Sequence, residues 1–330
     1  MINERLFEHY KIDTAKDLKI PKRCPRPFDT LLIDKQGSCY ACECTAWLPQ
    51  SIGNLRVKTL EQIINSDTHR QLTASIDDGT YRYCNEHQCP YIQSNTVGHT
   101  QGGVLIKELR LAIDDSCNLR CPSCRNSLIF HKSGKEFDTR NMLADRINGW
   151  LNKQEHPLTV HIGSDGDPFA SHVYRHFMAN TPNKDNIRYS ILTNGLMFEE
   201  HHGSVPNVMD NLDLLGVSID GATKQTYEKL RLGGSWEKIQ KNLSCMAEAK
   251  QRHGFWFRFH VVVQQDNWHE MRTFTELANN YDVDEIYFSK IQDWNTDLDY
   301  SLQTFTTLPE FEDLRDEVRQ LPGRYVLAGL

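Results

Sequence analysis

Apolar positions in the later two-thirds of the chain fall into six short runs. They are 105–114 (LIKELRLAID), 158–163 (LTVHIG), 187–193 (IRYSILT), 212–220 (LDLLGVSID), 255–263 (FWFRFHVVV) and 285–291 (EIYFSKI). Their alternation and their β-branched and aromatic content predict strands. Between the runs the apolar spacing changes to three and four. Leu143, Ile147, Trp150 and Leu151 share one helical face, as do Trp236, Ile239, Leu243 and Met246, and then Met271, Phe274 and Leu277. Phe311, Leu314 and Val318 predict a closing helix after the last strand. Strands alternating with helices predict an α/β fold with a parallel sheet and helices outside it. Six such units suit an open, TIM-like partial (β/α)6 barrel better than a full barrel of eight.

The first 91 residues read differently. They are irregular and cysteine-rich, with one helical stretch near 58–76. Residues 92–103 (IQSNTVGHTQGG) are polar and glycine-rich, which marks a linker. The expected organisation is a small domain at 1–91, the linker at 92–103, and the partial barrel with its closing helix at 104–330.

Strand parity assigns faces within the barrel. Phe255, Phe257, Phe259, Val261 and Val263 share the face expected beneath the outer helices. Trp256, Arg258, His260 and Val262 share the other, which should face the lumen. The same parity puts Arg110, His161, Arg188, Ser190, Ser218 and Asp220 inward. A lumen holding several arginines needs anionic or hydrogen-bonding partners. The expected substrate therefore carries carboxylate, phosphate or many hydroxyls, unless the arginines pair with Asp114, Asp220 or Asp293.

The composition is that of a soluble globular protein. The chain has 330 residues, 39% hydrophobic and 25% charged, with mean hydropathy −0.58. No apolar stretch approaches the ~18 residues of a membrane span. No basic segment followed by an apolar run marks a signal peptide, so a cytoplasmic location is expected. A net charge of −7 disfavours nucleic acid as a partner.

The cysteines change the picture most. Nine of the ten lie within the first 124 residues, and Cys245 stands alone. In a chain this long, without a secretory signal, clustered cysteines read as metal ligands rather than disulfides. Cys117, Cys121 and Cys124 follow the first barrel strand in the segment ELRLAIDDSCNLRCPSCRN. Three thiolates on one loop can hold three irons of a four-iron cluster and leave the fourth open for chemistry. A closed zinc site would need a fourth ligand, and the nearest histidine is His131.

This Cys-x3-Cys-x2-Cys loop, with CNLRCPSCR at its centre, resembles that of the radical SAM superfamily. The resemblance implies that the open iron binds S-adenosylmethionine. Reductive cleavage would then release a 5′-deoxyadenosyl radical that abstracts hydrogen from a substrate carbon. It also implies a one-electron reductant such as flavodoxin or ferredoxin. Further segments match in order across 104–320. HIGSDGDPF (161–169) stands where the family holds the methionyl amine, with Gly166 and Asp167, the Asp replacing the commoner Glu. ILTNG (191–195) brings Asn194. VSIDGATKQTYEKLRLGGSW (217–236) brings Ser218, Asp220 and Arg231 as contacts of the ribose or carboxylate, and VVQQDNWHEM (262–271) resembles the end of the fifth strand. One departure is Ser123, where many members carry an aromatic residue near the adenine.

The N-terminal cysteines resemble a SPASM or twitch module, which carries auxiliary iron–sulfur clusters and usually follows the barrel. Here it would precede it. The resemblance implies one auxiliary four-iron cluster on Cys24, Cys42, Cys84 and Cys89. Cys44 is the reserve ligand, and Cys39 falls at a strand position. A zinc-stabilised scaffold is the alternative.

Other residues carry less. His172 and His176 have metal-ligand spacing but no third ligand. Cys245 suits helix packing, with hydrogen-atom donation as its functional alternative. Asp293 could act as a general base, and the acidic stretch 297–313 reads as solvated surface. The family resemblance favours a peptide or protein substrate, changed by cross-linking, epimerisation or oxidation. Residues 1–23 are too short for a leader-recognition domain, and the polar lumen suits a sugar or other polar metabolite. A non-catalytic iron–sulfur or zinc sensor is the reading outside enzymes.

Overall fold

A computed structural model describes residues 23–98 and 102–330. Residues 1–22 and part of the 92–103 linker lie outside the described residues. The chain forms two compact units with interleaved boundaries. The first is Met1–Asp114, Ser133–Ser164 and Asn180–Ile187; the second is Asp115–Lys132, Asp165–Ala179 and Arg188–Leu330.

The first unit holds α1 (Arg26–Asp29), β1 (Thr30–Asp34), β2 (Ser38–Tyr40), β3 (Ser51–Asn54), α2 (Leu60–Ile64), α3 (Asp67–Asp77), α4 (Pro90–Gln93), β4 (Glu108–Ala112), α5 (Lys135–Leu151) and β5 (Leu158–Ile162). Its strands run in the order β5-β4-β1-β2-β3. Strands β1 and β4 pair in parallel, with Ile33 opposite Leu111, while β1, β2 and β3 are antiparallel. The cysteine-rich segment therefore builds strands onto the first barrel strand, which its irregular pattern did not announce. Leu31, Ile33, Leu109 and Leu111 are completely buried. The single helix expected near 58–76 is two. Thr59 and Gln62 form a capping box on α2, and Ser66 caps α3 by accepting from the His69 N–H. A serine that caps the next helix stops the previous one. Gly37 turns β1 into β2 with φ +80, and a Cβ there would lie 2.9 Å from Leu143. Only glycine tolerates both.

The second unit holds α6 (His172–Ala179), β6 (Ile187–Thr193), α7 (Phe198–His201), α8 (Pro206–Asp210), β7 (Leu212–Ser218), α9 (Lys224–Leu230), α10 (Trp236–His253), β8 (Trp256–Val263), α11 (Met271–Asn280), β9 (Glu285–Lys290), α12 (Pro309–Gln320) and β10 (Tyr325–Ala328). Its strands run β10-β9-β8-β7-β6, and the pairings described are parallel. Phe257, Phe259, Val261 and Val263 are buried on one face of β8, and Trp256, Arg258, His260 and Val262 stand half-buried on the other. Strand β10, on the edge beside β9, was not foreseen. Its half-exposed YVLA is too short to show a period.

Candidate functional site

The cysteine loop of the second unit is pinned on several sides. Cys117 N–H donates to Ile129 O at 2.9 Å, and a turn closes where the N–H groups of Cys124 and Arg125 reach Cys121 O. The Arg120 N–H donates to Leu232 O, tying the loop to the turn after α9. Cys117 and Cys121 are buried and Cys124 is exposed. The loop's sulfurs already receive donors: the Leu119 N–H at 3.4 Å and Asn194 Nδ2 at 3.6 Å from Cys117 Sγ, and Arg231 Nη1 at 3.8 Å from Cys121 Sγ.

Asp167 builds the neighbouring wall. Its buried carboxylate accepts four hydrogen bonds: Phe169 N and Ala170 N on Oδ1, Thr193 Oγ1 and Asn194 N on Oδ2. Burial raises its pKa against the pull of those donors. Its own N–H donates to Ser116 O. The Asp side chain is thus committed to the protein, and it sets Asn194 beside Cys117. Gly166, before it, takes a left-handed φ of +68.

Asp220 and Arg231, expected as cofactor contacts, form an ion pair with each other at 2.9 Å. Asp220 also accepts the Val262 N–H. Ser218 ends β7 opposite His260. His260 stacks on Tyr287 with ring centroids 4.8 Å apart. Burial, then Arg258 and Arg231, lowers its pKa to about 4. Below pH 6.5 the unfolded imidazole binds a proton that the folded one refuses until about pH 4. This side chain therefore removes about 1.4 kcal/mol of stability per pH unit across that window. Urea unfolding should lose stability more steeply between pH 6.5 and 4.5 in the wild type than in His260→Gln; equal slopes would contradict this.

The expected lumen arginines all have carboxylate partners. Arg258 pairs with Glu285 at 2.6 Å and Arg188 with Asp213 at 2.6 Å. In the first unit Arg110 meets Glu43 at 3.0 Å and Glu108 at 3.2 Å, and His161 lies 3.7 Å from Glu108. None of these partners is Asp114, Asp220 or Asp293. Asp293 is exposed and accepts the Asn295 N–H in a turn. Cys245 sits on α10 among Glu199, Lys241, Glu248 and Arg252. His172 Nδ1 accepts from Arg175 Nη2 at 3.0 Å. At the Ser123 departure, Tyr300 Oη reaches the Ser123 carbonyl at 3.5 Å.

In the first unit Cys24, Cys42, Cys84 and Cys89 line one pocket with Pro27, Leu48 and Ile92. Every pair of these four sulfurs lies close enough to interact electrostatically. Burial pushes Cys24 up to about 11 and Cys42 up to about 12, and holds Cys84 well above its usual value. In the second unit burial, then Asp167, pushes Cys117 up to about 12. Dry thiols gathered in this way keep their protons unless a cation replaces them, as iron does. The donor sets thus fit iron–sulfur clusters. Cys44 lies near Cys89, and Cys39 is buried with its Sγ on Gly37 O. The sequence reading missed Arg26, Tyr91 and Glu43. Arg26 and Tyr91 line the pocket, and Glu43 ties them together, taking Arg26 at 3.3 Å and the Tyr91 hydroxyl at 3.0 Å. Glu43 lies between Cys42 and Cys44, and that position was its only signal.

A loop of three cysteines on an α/β scaffold and a pocket of four define an iron–sulfur protein. Residues 113–278, half of the chain, match the Radical SAM superfamily, and residues 24–90 match the SPASM iron–sulfur cluster-binding domain. The chain belongs to the radical SAM superfamily. It is an α/β enzyme of that superfamily, with S-adenosylmethionine and iron–sulfur clusters as its cofactors. Such enzymes need a one-electron reductant.

Over 148 residues the chain is 28% identical to a probable GTP 3',8-cyclase of Methanococcus maripaludis, spanning 44% of this chain and 47% of that protein. Over 196 residues it is 25% identical to the GTP 3',8-cyclase of Synechocystis sp., spanning 57% and 55%. The chain spans about half the length of the curated relatives it matches. The structure of Streptococcus suis SuiB bound to precursor peptide SuiA aligns with TM-score 0.47 at 10% identity, covering 79% of this chain and 62% of that one. Among the described residues no helix is long and apolar enough to cross a membrane.

Proposed function

We propose that Cys117, Cys121 and Cys124 hold the cluster that binds S-adenosylmethionine, and that Cys24, Cys42, Cys84 and Cys89 hold one closed auxiliary cluster. The contrast between three gathered thiols and four carries this reading. A cluster with one iron free of protein ligands supplies reductive cleavage of S-adenosylmethionine to a 5′-deoxyadenosyl radical. Asn194 and Arg231 orient the cysteines from behind. Asp167 holds the Thr193–Asn194 strand end against the loop. Gly166, Ser218 and the Asp220–Arg231 pair border the place for the cofactor. Flavodoxin or ferredoxin is the reductant, and the cytoplasm, where thiols stay reduced, is the compartment.

The substrate in this reading is a peptide or protein, from which hydrogen is abstracted at carbon. The iron–sulfur domain match over 24–90 supports it, because the resemblance to SPASM enzymes implies peptide or protein substrates. The relatives named as GTP cyclases raise a nucleotide instead. A triphosphate needs several uncommitted cations, and Arg110, Arg188 and Arg258 are each closed by a carboxylate. The polar Ser218 and His260 leave a hydroxylated small molecule as the second reading.

Reduced, anaerobically reconstituted protein would be given extract from cells grown on deuterated amino acids, separated into protein and small-molecule fractions. Deuterium entering 5′-deoxyadenosine from the peptide fraction is the expected result. Deuterium from small molecules alone, or turnover driven by added GTP, would overturn the peptide reading. Cys84→Ala should lower bound iron by about four per chain while the signal that responds to S-adenosylmethionine persists. Zinc in place of iron would leave a scaffold.

A further inference from the structure

Tyr227, on α9, is completely buried, and among the described residues its Oη has no hydrogen-bond partner. A buried hydroxyl without a partner needs an account, since phenylalanine would fill the same space without stranding a donor. The ring packs on Trp236 with centroids 5.6 Å apart, beneath the turn that follows α9. The fit there is close: a Cβ on Gly234 would lie 3.0 Å from the ring and 3.2 Å from Oη. That turn is the one whose Leu232 carbonyl receives Arg120 of the cysteine loop, and whose Arg231 reaches Cys121.

Tyr227 and Arg231 are one helical turn apart, so they present their polar ends on the same side. The charges that act on the hydroxyl are those of Arg231, Cys121, Asp220 and Glu228. Two of these are already engaged. Asp220 takes Arg231 and the Val262 N–H, and Glu228 takes the Trp236 N–H. Among the described residues, the Cys121 sulfur has only the 3.8 Å contact from Arg231.

We propose that Tyr227 is a positioning residue that donates its hydroxyl proton to the sulfur face at Cys121 and, with Arg231, raises the reduction potential of the cluster held there. This rests on Cys121 being a ligand, as proposed above. A donor to a cluster sulfur stabilises the more negative, reduced form and so moves the potential upward. The pair thus helps a low-potential reductant to load the site.

The test is a dithionite titration of the holoenzyme and of Tyr227→Phe, followed by electron paramagnetic resonance. S-adenosylmethionine identifies which reduced signal belongs to the barrel loop. The expected result is a more negative midpoint for that signal in Tyr227→Phe, with the auxiliary midpoint unchanged. Electron–nuclear double resonance in deuterated water should show the wild-type cluster coupled to one exchangeable deuteron more than the variant, beyond those of Leu119, Asn194 and Arg231, which both keep. Equal midpoints with that extra deuteron coupling retained would overturn the proposal. If Tyr227→Phe fails to bind iron, 3-fluorotyrosine at position 227, a stronger donor, should move the midpoint the other way, and an unmoved midpoint would equally overturn it. A wild type with iron but no signal that responds to S-adenosylmethionine would remove the ligation itself and the proposal with it.

Discussion

Cys121→Ala is expected to abolish 5′-deoxyadenosine formation and to leave about four of about eight irons per chain. Cys121 is the most enclosed of the three loop thiols. Its carbonyl closes the 121–125 turn, and its sulfur faces Arg231. Removing the sulfur leaves a buried guanidinium whose ion pair with Asp220 remains, so the fold should survive while the cluster does not. Anaerobic reconstitution, iron and sulfide counts and chromatographic assay of deoxyadenosine measure both effects. Wild-type turnover in the variant would remove Cys121 from the ligand set. Cys245→Ala is the control, because that thiol sits among charged groups on α10 and should lose nothing.

The contrast between those two cysteines shows what the sequence made legible. Ligand spacing is a local property, so the x3 and x2 intervals of 117–124 identify a metal loop without any fold. The strands β4, β5, β6, β8 and β9 were legible because each alternates over five or more residues, as in WFRFHVVV, where every second residue is buried. Strands β1 to β3 were not, because their partner is chosen by tertiary structure. TLLID is nearly all buried and has no period, and SCY has three residues. Pairing between charges was equally hidden. Arg258 and Glu285 lie on neighbouring strands, and Arg188 and Asp213 likewise, but no sequence interval announces either pair. The lumen arginines therefore looked available for a substrate anion until their carboxylates were in place. Tyr227 was hidden for the opposite reason. Its neighbours on α9 give it the spacing of a core aromatic, and only its stranded hydroxyl, behind Cys121, marks it out.

Asp167→Ala should be the most damaging single change outside the cysteines, and its damage should fall on stability and on the site together. The carboxylate is the common acceptor for Phe169 N, Ala170 N, Thr193 Oγ1 and Asn194 N, all at 2.7 to 3.1 Å. Alanine would strand four donors in a dry setting, where each stranded group costs about 1–3 kcal/mol before relaxation. Some would recover water or shift, so a loss of about 3–5 kcal/mol is expected, in the range found when one partner of a buried charged network is removed. Asn194 would lose the bond that fixes its backbone, and with it the alignment of its side chain on Cys117 and Asn118. Asp167→Asn keeps the shape but turns one acceptor oxygen into a donor facing donors, so it should retain little of the wild-type stability. Asp167→Glu must find room for one more methylene in a fully packed pocket, so it should lie between the two only if the loop at 163–166 can yield. Thermal melts of the three apo variants, with iron retention after reconstitution, would measure both effects. An alanine variant as stable as the wild type would mean that other groups hold this wall of the site.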